Sequence, residues 1–82
     1  MTRTHPVAKY RLRHSVYKAH TESLGLNTDR QQGEAFGFSR KTINEVRNER
    51  IHPSADFMAS VCAVLKVRTD AVFEIVPAER AA

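Results

Sequence analysis

Residues 33–46 read Gly33-Glu34-Ala35-Phe36-Gly37-Phe38-Ser39-Arg40-Lys41-Thr42-Ile43-Asn44-Glu45-Val46, and this stretch decides the fold. Gly37 stands where a helix must stop, because glycine enters the left-handed conformation that ends helices at little steric cost. Ser39 then offers a new N-cap, its hydroxyl oxygen accepting an N–H of the first turn of the next helix. Ile43 and Val46 are spaced to share one face of that helix and can anchor it to a core. Gly33 falls inside the preceding helix, where glycine ordinarily costs about 1 kcal/mol relative to alanine. The missing side chain makes sense if a second helix crosses close above it. The pattern predicts two short helices at roughly 90–120°, joined by a tight turn.

Working toward the N-terminus, Thr28-Asp29-Arg30-Gln31 is a capping box, in which Thr28 and Gln31 each satisfy an orphan N–H at the start of the first of these helices. Nothing from Pro6 to about Leu24 breaks a helix, and Gly25 is a natural stop, so the sequence predicts a helix over 6–24. At helical spacing Ala8, Leu12, Val16 and Ala19 gather on one face, and Tyr10, Tyr17 and Leu24 on the other. That second stripe is either further core or a surface for a partner. Toward the C-terminus, Ile51-His52-Pro53 is a turn, and Ser54 caps a helix with Phe57, Met58, Val61, Val64 and Leu65 on its apolar face. Lys66-Val67-Arg68 leads to a last short helix capped by Thr69, with Val72 and Phe73 inward, and Pro77 disfavours helix at Val76. The expectation is an all-α, five-helix domain over 6–76, with a flexible basic arm at 1–5 and a short C-terminal tail at 77–82.

Composition narrows the function. The 82 residues suffice for one domain, with 41% hydrophobic and 27% charged residues and a formal net charge of +4. Basic residues crowd the first part of the chain: Arg3, Lys9, Arg11, Arg13 and Lys18, with no acid before Glu22. A basic face suits a polyanion, although charge alone fits a solvated helix face equally well. The single cysteine, Cys62, excludes an internal disulfide, and its neighbours Met58, Val61 and Leu65 predict a buried structural thiol. No apolar run approaches a membrane span and no signal-peptide core follows the basic start, so a cytoplasmic protein is expected. His5, His14, His20 and His52 lack metal-pair spacing, and no nucleophile elbow or phosphate loop is present. No catalytic residue, cofactor, metal or small-molecule substrate is therefore expected.

With these residues in view, the chain resembles the lambda-repressor-like helix-turn-helix family, the Cro/repressor or XRE type. The likeness runs through Gly37–Asn48, which looks like that family's turn and recognition helix, then Pro53-Ser54, Leu65-Lys66-Val67 and Asp70–Glu74, over roughly residues 26–75. Asp29 stands where the family often has a phosphate-contacting Gln, and Gln32 where an apolar residue is usual.

The resemblance implies a sequence-specific double-stranded DNA-binding regulator, a phage-type repressor or Cro-like protein, working as a homodimer on an operator. It places Arg40, Lys41, Asn44 and Glu45 at base-reading positions. It places Thr28, Gln31, Ser39, Thr42, Arg47, Asn48 and Arg50 toward phosphates. The chemistry agrees, since Arg pairs with guanine, Asn with adenine, and Glu accepts from cytosine N4. Arg47 has two readings: an ion pair with Glu22, or a phosphate contact. The bland alternative for the whole surface is the solvated face of a small bundle. A rival function is a protein-interaction module, such as a toxin-neutralising antitoxin of the same fold.

Overall fold

The computed structural model describes residues 9–76. In chain order they form β1 (Lys9–Leu12), α1 (His14–Ser23), α2 (Asp29–Phe36), α3 (Arg40–Arg47), α4 (Ala55–Leu65), α5 (Thr69–Val72) and β2 (Phe73–Val76). The molecule is therefore mixed α/β, and the all-α expectation is overturned by a two-stranded antiparallel sheet. The predicted arm at 1–5, the Pro6 helix start, Ala8 and the tail at 77–82 lie outside the described residues.

The error lies in the first predicted helix, whose opening part is strand, and in the last, which ends at Val72 so that Phe73, expected in it, opens β2. Lys9-Tyr10-Arg11-Leu12 alternates polar with apolar, which suits a half-buried strand as well as a helix. Its partner is Phe73-Glu74-Ile75-Val76, and the register sets Leu12 opposite Phe73 and Arg11 opposite Glu74. Leu12 and Phe73 both turn into the core, each only 1% exposed. On the other face Arg11 Nε donates to Glu74 Oε2 at 2.5 Å, and Arg13 Nη1 reaches Glu74 Oε1 at 3.3 Å. Directly opposed charges of opposite sign favour this register.

Arg13 turns the strand into α1. Its backbone N–H donates to the Val72 carbonyl at 2.6 Å and its Nε to the Asp70 carbonyl at 3.1 Å. The buried face of α1 is not the expected stripe. Tyr17 and Thr21 are buried, whereas Val16 is half-buried and Ala19 exposed. Of the other stripe, Tyr17 joins the core, Tyr10 is half-buried and Leu24 is exposed.

The centre follows the sequence more closely. Thr28 and Gln31 close the capping box of α2, and Gly37 ends that helix at φ +83°. Ser39 caps α3 and Ser54 caps α4, each accepting from an N–H in the first turn. α5 departs in detail: its N-cap is Arg68, without a side-chain cap, and Thr69 is its first residue. Cys62 is half-buried rather than buried, its thiol 3.7 Å from the Thr69 hydroxyl.

One core joins these elements: Leu12, Tyr17, Phe36, Ile43, Val46, Phe57, Val61, Leu65, Val72 and Phe73. Phe57 of α4 is its hub, with ring centroids 5.1 Å from Phe38 in the turn and 6.4 Å from Phe73 in β2. The turn between α2 and α3 and the sheet thus both rest on one ring. Among the described residues no helix is long and apolar enough to cross a membrane.

Candidate nucleic-acid interface

α3 is fixed from below and polar above. Ile43 and Val46 are 0% and 2% exposed, so they set the rotation of the helix about its axis. The close approach that frees Gly33 from a side chain comes from the turn. A Cβ on Gly33 would overlap the Phe38 carbonyl oxygen and lie 3.4 Å from the Arg40 nitrogen. The Gly33 carbonyl in turn accepts from the N–H groups of Gly37 and Phe38, at 2.8 and 2.9 Å. Turn and helix are locked together at that point, which fixes where α3 begins.

Helical spacing from Ile43 and Val46 places Lys41, Asn44, Glu45 and Asn48 on the opposite, outward side, while Arg40, three residues before Ile43, stands on the flank of the first turn. Arg40 and Lys41 are exposed, and Asn44 and Glu45 are half-buried. Among the described residues neither Arg40 nor Lys41 nor Arg50 has an ion-pair partner, so cationic charge stands uncompensated at both ends of α3. The N-terminal end also carries the positive end of the helix dipole.

The residues expected to meet phosphates divide by what they already hold. Thr28 Oγ1 accepts from Gln31 N, and Gln31 Oε1 accepts from the N–H groups of Asn27 and Thr28. The Thr28 hydroxyl proton and the Gln31 amide N–H groups are still available to donate. Ser39 Oγ accepts from Thr42 N at 3.1 Å and lies 3.0 Å from Thr42 Oγ1. Asn48 Nδ2 donates back to the Asn44 carbonyl at 2.8 Å.

Arg47 pairs with Asp29 and not with Glu22. Its Nε donates to Asp29 Oδ1 at 2.8 Å, and Nη2 lies 2.8 Å from the same oxygen. Glu22 instead approaches Lys18 at 3.9 Å. The second Asp29 oxygen accepts from Asn44 Nδ2 at 3.2 Å. Sequence reasoning missed Asp29 as a hub. Its signal was visible: an acid at a position where the resembled family carries an amide, on the first turn of the helix facing α3.

The other departure, Gln32, is also explained. It is buried, accepts from the Tyr17 hydroxyl at 2.6 Å and donates to the Leu26 carbonyl at 3.0 Å. Burial pushes the Tyr17 phenol well above its ordinary value, so it remains a proton donor to Gln32 across the physiological range. This bridge ties α1 to α2. Both residues line a cleft of about 380 Å³, where their polar atoms satisfy one another.

No protein-family model matches the sequence, and no curated protein or solved structure shows significant similarity to it.

Proposed function

We propose that this protein is a sequence-specific double-stranded DNA-binding regulator that lays α3 in the major groove. The observation that carries the reading is the construction of α3. The turn before it is locked against Gly33 and its inner face is buried through Ile43 and Val46, while its first turn presents Arg40 and Lys41 without partners among the described residues. A helix so held presents side chains to base edges at a fixed angle, and the cap region at Thr28 and Gln31 supplies donors for the flanking phosphates. Arg40, Lys41, Asn44 and Glu45 read bases. Thr28, Gln31, Ser39, Thr42, Asn48 and Arg50 grip phosphates. Arg47 supports the surface through Asp29. The mechanism is passive occupancy of an operator in the cytoplasm by a homodimer, as the resemblance to Cro-like and repressor-type regulators implies, with no catalytic group or cofactor.

The test is equilibrium binding to duplex DNA over a range of salt. Affinity is expected to fall by about 0.9 log unit per phosphate contact for each tenfold rise in salt. Arg40→Ala should cost about 1–3 kcal/mol on the selected site and blur preference at one base pair. Binding that does not change with salt would overturn the proposal.

A further inference from the structure

The geometry points to Asp29 as a positioning residue that sets which base Asn44 reads, and to adenine as that base. The inference rests on the DNA-binding reading above and adds a specificity to it. Asn44 lies on the outward face of α3, half-buried, and its amide meets Asp29 at 3.2 Å. An ionised carboxylate accepts hydrogen bonds and cannot donate them. The side of the amide facing Asp29 must therefore be the nitrogen, and the amide oxygen must face away. Asn44 is left with one N–H and its oxygen for a ligand. That donor–acceptor pair matches adenine, whose N7 accepts and whose N6 amino group donates in the major groove.

The carboxylate is itself held. Arg47 engages Oδ1 through both Nε and Nη2, leaving Oδ2 to Asn44, and the Asp29 side chain is only 21% exposed. Asp29 also opens α2, whose start is fixed by the Thr28–Gln31 capping box. The acceptor that orients Asn44 is thus anchored by two helices and a guanidinium. A free asparagine can present either orientation, whereas this one is committed before DNA arrives.

The Arg47 guanidinium makes the consequence of Asp29→Asn specific. The cation draws the new amide oxygen to itself, which turns the new NH₂ group toward Asn44. Asn44 must then offer its oxygen inward and its NH₂ outward. An outward NH₂ group suits guanine, whose O6 and N7 both accept.

The experiment is selection from randomised duplexes at fixed salt with the wild type, Asp29→Asn and Arg47→Ala, alongside NMR of the Asn44 side-chain amide in the free proteins. The wild type should favour adenine at one position by about tenfold or more. Asp29→Asn should lose that preference and gain guanine at the same position, while binding random duplex more tightly for want of one negative charge. Arg47→Ala should keep adenine, because the Asp29–Asn44 bond survives. The Asn44 amide resonances should move in Asp29→Asn and hold in Arg47→Ala, with melting curves confirming that both variants are folded. Unaltered adenine preference in Asp29→Asn, or its loss in Arg47→Ala, would overturn the role of Asp29. A wild type that binds random duplex with a steep salt dependence yet selects no adenine would overturn the inference and leave the DNA-binding reading standing. Absence of salt-dependent binding by the wild type would overturn the DNA-binding reading and the adenine assignment together. The NMR comparison would then report separately whether Asp29 orients the amide.

Discussion

The α2–α3 pair and the β1–β2 ribbon lean on the same phenylalanine, Phe57, but are assembled by different means. In the helix pair the caps and the turn are set within a few residues: Thr28 with Gln31, Gly33 with Phe38, Ser39 with Thr42. In the ribbon every pairing joins the two ends of the described chain, with Arg11 and Glu74 63 positions apart. Local decisions leave marks that any reader of the sequence can find. A strand whose partner lies at the far end leaves only alternation, and four alternating residues fit a helix almost as well. The ribbon therefore depends on closure of the whole domain, while the helix pair can be organised before it.

The largest expected effect tests whether the ribbon is part of the core. Phe73→Ala removes a ring that is 1% exposed and stacks edge-on to Phe57, and should destabilise the domain by about 3–5 kcal/mol. If denaturant unfolding gave less than about 1 kcal/mol, the ribbon would be an appendage and the contrast would collapse.

Next comes Gly33→Ala, which forces a methyl against the Phe38 carbonyl oxygen, a backbone atom that cannot swing aside. About 2–3 kcal/mol of destabilisation is expected despite the better helix propensity of alanine, equivalent to roughly 10 °C or more in melting temperature for a domain this small. An unchanged melting temperature would show that turn and helix are not locked there.

Gly37→Ala isolates conformation from crowding. Nothing lies within 4 Å of a Cβ built there, but φ is +83°, so the cost should be only the left-handed penalty of about 1–2 kcal/mol. Finding Gly37→Ala costlier than Gly33→Ala would reverse the assignment of the two glycines.

The smallest effect concerns charge on the ribbon. The hydrogen bond from Arg11 holds the Glu74 carboxyl below its ordinary range against the opposing cost of burial, aided by the positive charge of Arg11, Arg13 and His14. A carboxyl depressed in the folded state stabilises fully above its unfolded value and loses that contribution as pH falls through the folded one. Melting temperatures taken from neutral pH into acid should therefore fall less steeply for Glu74→Gln than for the wild type. Parallel curves would mean that the Arg11–Glu74 contact adds nothing to ribbon closure.

These contrasts explain what the sequence made legible. The caps at Thr28, Ser39 and Ser54, the turn at Gly37, and the burial of Ile43, Val46, Phe57, Val61, Val72 and Phe73 all follow from short-range patterns. Lys9–Leu12 was misread because no glycine or proline separates it from α1, and because Leu12 falls on a plausible helical stripe with Val16 and Ala19. Only its pairing with Phe73–Val76 decides between the two periods. In the candidate interface, the outward placement of Lys41 and Asn44 follows from Ile43 and Val46 alone. The tie of Arg47 to Asp29 does not, because it depends on how far α2 and α3 are rotated about each other.

The ribbon also bears on the order in which the chain is made. Ribosomal synthesis delivers Lys9–Leu12 first and Phe73–Val76 last among the described residues, so β1 waits for its partner through the translation of everything between them. During that interval the capped helices α2 and α3 can already form, whereas Leu12 has no Phe73 to cover it. A nascent chain stalled before β2 emerges should present Leu12 to a chaperone or protease. Release of the final strand then becomes the event that seals the domain.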